Sequence, residues 1–311
     1  MKIAVLGSLN MDLVMEVERL PRPGETVPGR GFARYPGGKG NNQAIAAARL
    51  GAEARLFGRV GQDRYGEELL EVAQGAGVDT SGVEALAGAA TGVALILVGP
   101  DGQNMIGYAP GANGRVDEEY AQRILPWLRE VDVLLLQLEV PLPPLALILR
   151  RLPPDRPLVV LDPAPARDLS PLPLARVDYL TPNREELAVL IGGRAVDQGE
   201  LVRAGQELLS TGVRNLVIKA DRDGAYLAES GGVTRFPAYR VQAVDTTAAG
   251  DAFNAALAVS LAEGKGPYEA IGFANAAAAL TVTRKGAASS LPTKAEVQDF
   301  LRHPYRYPTR D

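Results

Sequence analysis

From about residue 118 onward, short runs of Val, Leu and Ile alternate with stretches whose apolar residues recur at helical spacing. This alternation constrains the fold more than any other feature of the 311-residue chain. Strands are expected at 131–138, 158–161, 179–181 and 216–219, and helices at 118–129, 145–151, 185–190 and 200–210. Strands separated by helices pair in parallel, and a strand apolar at every position is covered on both faces. The last third reads as three helices, 251–263, 268–281 and 294–302.

The first third is less regular. An apolar strand at 3–6 ends at Gly7. Residues 13–17 are strand-like, and the stretch after them is punctuated by Pro21, Pro23, Gly24, Pro28 and Gly29. Helices are expected at 42–50, closed by Gly51, and at 67–74. A second strand-rich stretch, 92–108, reads as a hairpin: 93–98, a turn at Pro100-Asp101-Gly102, then 104–108. With no linker or repeat, the expected architecture is one layered α/β domain over 1–311. Its central sheet is mainly parallel, and the excursions 12–34 and 92–108 meet as a small β-sheet lid.

Composition removes whole classes of chemistry. There is no cysteine and one histidine, His303, so disulfides, thiol catalysis and Cys/His zinc sites are excluded, and a Ser-His-Asp mechanism is disfavoured. Acid–base chemistry falls to carboxylates, Lys or Tyr. A formal net charge of -4 argues against a broad nucleic-acid surface. No apolar run approaches a membrane span, and the N-terminus lacks a signal-peptide pattern, so a soluble cytoplasmic protein is expected.

Four segments carry candidate chemistry. In Asp245-Thr246-Thr247-Ala248-Ala249-Gly250-Asp251, small residues lead into an Ala-rich helix. Free amides and the helix dipole there suit an anion, and Asp251 sits where a carboxylate can take a proton from an attacking hydroxyl. The same pattern also makes an ordinary helix cap. Gly37-Gly38-Lys39-Gly40-Asn41-Asn42-Gln43 lets backbone approach a ligand and offers donors to a polyol, or is a helix-entry turn. It lacks Walker A spacing. Gly7-Ser8-Leu9-Asn10-Met11-Asp12 comes after a strand, at the sheet edge where α/β proteins bind ligands, or uses Asn and Asp for local turns. Asn183-Arg184-Glu185-Glu186 suits a water-mediated Mg²⁺ site or a capping box. Glu139, ending an apolar strand, is a further candidate.

Together, from Val5 to about Phe300, these segments resemble the ribokinase-like (PfkB-type) carbohydrate kinase family. The wording recurs in order in Pro23-Gly24-Glu25-Thr26-Val27, Thr91-Gly92-Val93, Gly111-Ala112-Asn113, Gln137-Leu138-Glu139, Pro163-Ala164-Pro165-Ala166-Arg167 and Val282-Thr283-Arg284-Lys285-Gly286. The resemblance implies a three-layer α/β/α fold and ATP-dependent phosphorylation of D-ribose at O5. Asp251 would be the general base and the amides of Ala248, Ala249, Gly250 and Asp251 the anion hole. Asn10, Asp12, Gly38, Lys39, Gly40, Asn41, Asn42, Glu139 and Asp251 would hold the sugar. Asn183, Lys219, Ala220, Asp221, Arg222, Asp223, Gly224 and Asn275, with Gly250 and Asp251, would line the ATP side. Asn183 and Glu186 would hold Mg²⁺ through water, and Asp245, Thr247, Thr281, Arg284, Gly286 and Ser290 a monovalent cation, K⁺. The same resemblance implies a homodimer through the lid. Ala220-Asp221 departs from the Leu-Gly that family loops usually carry, and Asn275 stands where some relatives have His. Tyr108 lies in the second lid segment. The competing readings are a kinase for fructose, 2-keto-3-deoxygluconate or a nucleoside, and a weakly catalytic sugar or nucleotide sensor.

Overall fold

The apolar N-terminal run forms β1 (Lys2–Leu6), followed by β2 (Asn10–Val17), β3 (Gly29–Gly37), α1 (Lys39–Arg49), β4 (Glu53–Gly61), α2 (Arg64–Gly75) and β5 (Asp79–Leu86). Next come β6 (Gly92–Val98), β7 (Asn104–Ala109), α3 (Glu118–Leu128), β8 (Val133–Gln137), α4 (Leu142–Arg151), β9 (Leu158–Asp162) and β10 (Tyr179–Leu180). The chain continues through α5 (Arg184–Leu190), α6 (Glu200–Leu209), β11 (Asn215–Lys219), β12 (Ala225–Glu229) and β13 (Gly232–Phe236). It ends in α7 (Ala249–Ala262), α8 (Pro267–Thr281) and α9 (Lys294–Arg302). The computed structural model describes residues 1–100, 102–194 and 200–304. Asp101 of the expected hairpin turn lies outside them; around it, the Gly102 amide donates to the Gly99 carbonyl at 3.1 Å.

Nine strands form one sheet in the order β13-β12-β11-β10-β9-β8-β1-β4-β5. The run from β11 to β5 is parallel, and β12 and β13 add an antiparallel edge. Successive side chains alternate between two cores, as the pleat requires. Ile3, Val5, Val133, Leu135 and Val217 pack with residues of α1, α7 and α8. Ala4, Leu6, Leu134, Leu136, Leu216 and Ile218 pack with residues of α3, α4 and α6. The result is three layers, α/β/α. Among the described residues, no helix is long and apolar enough to cross a membrane.

The two early excursions pair with each other. A second sheet runs β3-β2-β6-β7, with β2 and β6 parallel and the other pairs antiparallel. Several elements differ from the sequence expectation. Helix α1 starts three residues earlier, inside the glycine motif, and α2 starts at Arg64 because Asp63 caps it by accepting from the Gly66 amide. Strands β4, β5, β12 and β13 were not anticipated; in β4 the arginines Arg55 and Arg59 interrupt the apolar run.

The C-terminal ends of β1, β8, β9, β10 and β11 share one edge of the sheet, the edge at which open α/β sheets bind ligands. There the first turn of α1 crosses the end of β1 in near contact. A Cβ on Gly40 would stand 2.6 Å from both the Gly7 carbonyl carbon and the Ser8 nitrogen. Gly40→Ala is therefore expected to destabilise the protein by about 1–3 kcal/mol. Gly75→Ala in α2, where a Cβ meets nothing within 4 Å, should be neutral or stabilising. Urea denaturation of both variants checks this, and equal midpoints would contradict the close crossing.

Candidate active site

At the sheet edge the chain leaves β1 and turns through Ser8 and Leu9 into β2. Asn113 locks this turn: its Oδ1 accepts from the Leu9 amide at 3.0 Å, and its Nδ2 donates to the Leu9 carbonyl at 3.0 Å and to Asn10 Oδ1 at 2.8 Å. With its oxygen so engaged, Asn10 turns its amide nitrogen to Glu139, 3.2 Å from Oε2. The same carboxylate oxygen accepts from Ser8 Oγ and from the Lys39 amide at 3.2 Å. Glu139 thus ties the ends of β1 and β8 to the start of α1. Gly38, at φ +89, makes the entry possible, since a Cβ there would lie 2.6 Å from the Asn10 nitrogen.

Asp251 lies on the first turn of α7, only 5% exposed. Asn42 Nδ2 donates to its Oδ2 at 3.0 Å and Gln43 Nε2 to its Oδ1 at 3.1 Å. Burial pushes the Asp251 carboxyl up to about 6. Lys39 and the two amide donors oppose that rise, and Asp162 adds to it. Asp12, on β2, is pushed up to about 7 by burial and by the charges of Glu139 and Asp251. Burial alone would lower the Lys39 ammonium, but Asp251, Asp162, Glu139 and Glu186 hold it above its ordinary value. The segment before α7 is strained: Ala248 is left-handed at φ 60 without being glycine. The Ala249 amide donates to the Thr246 carbonyl at 3.3 Å. The Gly250 and Asp251 amides occupy first-turn positions that lack an intrahelical acceptor.

Of the expected sugar residues, Asn10, Asp12, Gly38, Lys39, Gly40, Asn42, Glu139 and Asp251 converge on this region. Asn41 lies beside them on the first turn of α1. It is fully buried and its Nδ2 donates to the Gly37 carbonyl at 3.3 Å, so its side chain braces the loop.

The other end of the edge gathers the expected nucleotide residues. Asn183 and Lys219 bridge through their backbones. Lys219 Nζ pairs with Asp162 Oδ1 at 2.8 Å. Ala220–Gly224 turns through Asp221 at φ 47, a conformation that glycine adopts without strain. Asp223 pairs with Arg184 and, at 3.6 Å, with Arg235, so its charge is countered; Arg222 is exposed. Asn275 Nδ2 donates to the carbonyls of Phe236 and Pro237 at 3.3 and 3.5 Å, beside Gly224, whose own Cβ position would fall on Phe236 O.

The residues expected to hold cations also have partners within the chain. Asn183 and Glu186 form a reciprocal capping box for α5: Asn183 Oδ1 accepts the Glu186 amide and Glu186 Oε2 the Asn183 amide, both at 2.7 Å. Glu186 Oε1 is the oxygen left over, which fits an outer, water-mediated role for Mg²⁺. Among the described residues, no group of three or more His, Asp or Glu gathers to cage a metal. Asp245 joins two loops, accepting from the Thr247 amide and hydroxyl at 2.9 and 2.6 Å and from the Gly286 amide at 2.9 Å. Arg284 pairs with Glu296 and offers only its carbonyl oxygen, whereas the Thr281 and Ser290 hydroxyls donate to the Ala277 and Ala287 carbonyls and keep lone pairs. A set made of one carboxylate, carbonyls and hydroxyls fits a hard cation.

Sequence reasoning did not single out Ser8, Gln43, Asn113, Gln137 or Asp162 as site residues. Asp162 carried the same signal as Glu139, a charge ending an apolar strand. Tyr108 reaches in from β7, its hydroxyl donating to the Glu139 carbonyl at 3.3 Å.

Known proteins share this arrangement of chain. The family model "pfkB family carbohydrate kinase" matches residues 1–294. The chain is 38% identical to a ribokinase of Haemophilus influenzae over 301 residues, 97% of this chain and 98% of the relative. A ribokinase structure from Thermotoga maritima superposes with a TM-score of 0.88 at 38% identity, covering 97% of this chain and 99% of that one. A ribokinase structure from Arabidopsis thaliana, complexed with ribose and ATP, gives a TM-score of 0.90 at 33% identity, covering 97% and 98%.

Asp12 provides a test of the electrostatics. Its raised pKa means the folded state keeps a proton that the unfolded chain loses between about pH 4 and 7, so stability from this group falls across that window as pH rises. Asp12→Asn should therefore raise the melting midpoint of the ligand-free protein more at pH 8 than at pH 4.5. An equal effect at both values would contradict the assigned environment.

Proposed function

The chain belongs to the pfkB family of carbohydrate kinases, and on that premise we propose that it phosphorylates D-ribose at O5, giving D-ribose 5-phosphate and ADP. The observation that carries the chemistry is the Asp251 carboxylate, buried at the start of α7 and held on both oxygens by Asn42 and Gln43. It is an anion poised beside amides that suit another anion. This favours transfer of a phosphoryl group to a hydroxyl over simple sugar recognition.

In this reading Asn10, Asp12, Asn42 and Glu139 take the sugar hydroxyls and orient the primary one toward Asp251. As that oxygen bonds to the γ-phosphorus of ATP, Asp251 accepts its proton and the bond to the β,γ-bridging oxygen breaks, releasing ADP. The Gly250 and Asp251 amides offset charge developing on the transferring group. The 219–224 turn, Asn183 and Asn275 seat the nucleotide. Asn183 and Glu186 would hold Mg²⁺ through water, and the ion would neutralise phosphate charge. Asp245, Thr247, Thr281, Arg284, Gly286 and Ser290 would hold K⁺, which would order the loop that carries the Gly250 amide. The small sheet serves as a lid, with Tyr108 as its contact to the site, and closure excludes water that would otherwise hydrolyse ATP.

The same sheet supports a homodimer. The pairing Asp12–Ala94–Tyr108 sets one face toward the site; Met15–Phe32 and Leu97–Met105 set the other. On that outer face Phe32, Leu95 and Met105 are 61%, 58% and 50% exposed, more apolar surface than an isolated lid requires. Phe32→Asp with Leu95→Lys should convert a dimer to a monomer in analytical ultracentrifugation. A wild-type protein that sediments as a monomer would end this reading.

The activity itself is tested by ADP release across a sugar panel with Mg-ATP, with and without K⁺. Ribose should be the preferred acceptor, and K⁺ should raise turnover. Preference for a hexose or a nucleoside would replace the substrate, and indifference to K⁺ would remove the cation role. Asp251→Asn should lower kcat by about 10²–10⁴-fold while calorimetry still detects ribose binding.

A further inference from the structure

Beneath Asp251 runs a chain of buried polar side chains with no part in the phosphoryl-transfer steps themselves. Gln43 on α1, Gln137 on β8 and Asp162 on β9 are each no more than 1% exposed. Gln43 Nε2 donates twice, to Asp251 Oδ1 at 3.1 Å and to Asp162 Oδ2 at 3.2 Å. Its Oε1 accepts from Gln137 Nε2 at 2.7 Å. The opposite amide orientation would aim Oε1 at two carboxylates, which ionised have only acceptors to offer, so Gln43 has one stable setting. Gln137 is seated by Gly7, where a Cβ would fall 1.9 Å from Gln137 Oε1.

The far end of this chain is a cation. Asp162 Oδ1 holds Lys219 Nζ at 2.8 Å, and Nζ lies 3.5 Å from the position a Cβ would take on Gly250. The ammonium therefore sits at the first turn of α7, on the same turn as Asp251. One neutral amide links two carboxylates, and among the described residues only Asp162 has a direct cationic partner.

We propose that Gln43 is a positioning residue of the phosphoryl transfer, linking Asp251 to the Asp162–Lys219 pair so that base and ammonium are held together across the start of α7. Asn42 bonds one Asp251 oxygen and Gln43 the other, which fixes the carboxylate plane and the lone pair that meets the sugar hydroxyl. Asp162 turns Lys219 toward the place where phosphate charge arrives. The relay rests on the reading of Asp251 as the base.

The charged groups around Asp251 are Asp12 on β2, Lys39 on α1, Glu139 after β8, Asp162 on β9 and Lys219 on β11, with Glu186 of α5 acting on Lys39. Against this background two substitutions act in opposite directions. Gln43→Met keeps length and removes both donors, leaving the Asp251 anion less stabilised. Asp162→Asn removes a neighbouring negative charge.

The experiment is the pH profile of kcat, with KM for ribose and ATP, for wild type, Gln43→Met, Gln43→Glu and Asp162→Asn, alongside melting midpoints. Gln43→Met is expected to lower kcat about 10–100-fold with ribose KM within about threefold. Its acid limb should move to higher pH, and that of Gln43→Glu further still, with rate partly recovered as pH rises. Asp162→Asn should move the acid limb to lower pH and raise KM for ATP. A purely structural role would lower midpoints and leave every acid limb in place, which overturns the proposal, as would shifts of the same sign in Gln43→Met and Asp162→Asn. If Gln43→Met fails to fold, the opposed shifts of Gln43→Glu and Asp162→Asn decide alone. An active Asp251→Asn enzyme would instead overturn the parent assignment of the base.

Discussion

Burial of one carboxylate at the start of a helix organises the whole sheet edge. An ionised Asp251 out of contact with water is costly unless hydrogen bonds and opposite charge compensate it. The amides of Asn42 and Gln43 bond both of its oxygens, the helix dipole and Lys39 supply positive potential, and the residual strain shows as a pKa near 6. Those amides belong to α1, so α1 must cross the end of β1 within touching distance. That crossing in turn requires glycine at positions 38 and 40.

The layered fold makes the crossing rigid. Alternate side chains of β1, β8 and β11 enter two separate cores, and α1, α7 and α8 pack on the same face. Helices anchored to a common sheet cannot shift singly without opening a core. The small sheet differs: it leaves the body as β2, is joined by β6, and meets the site again through Asp12 and Tyr108. Rigid layers set Asp251 and the start of α7, and a separate sheet brings Asp12 and Tyr108 to the same edge.

Much of the fold was legible in the chain. The buried strands β8, β9 and β11 are continuous apolar runs, α3 and α9 are amphipathic helices capped by Asp117 and Thr293, and α7 and α8 are Ala-rich runs buried on nearly every side. Strands β4, β12 and β13 were less legible because arginines interrupt β4, and β12 and β13 are short antiparallel strands of mixed pattern. In the site, Asn10, Glu139 and Asp251 stood out because their neighbours are distinctive. Gln43 and Asp162 did not, since a buried glutamine and a strand-end aspartate have many structural uses. Asn41 looked equivalent to Asn42, but helical geometry sends adjacent side chains about 100° apart, one to Asp251 and the other back to Gly37.

The chain by itself determined the α/β class, the parallel core, the small-residue start of α7 and the exclusion of thiol chemistry. These come from local pattern and residue type, which need no knowledge of distant contacts. Tertiary structure alone decided which amide faces Asp251, that Asp162 pairs with Lys219, and that Asp12 and Asp251 titrate far above ordinary carboxylates. Such properties arise from groups brought within a few ångströms across 57 to 209 residues of sequence, where desolvation and charge act through space rather than along the chain.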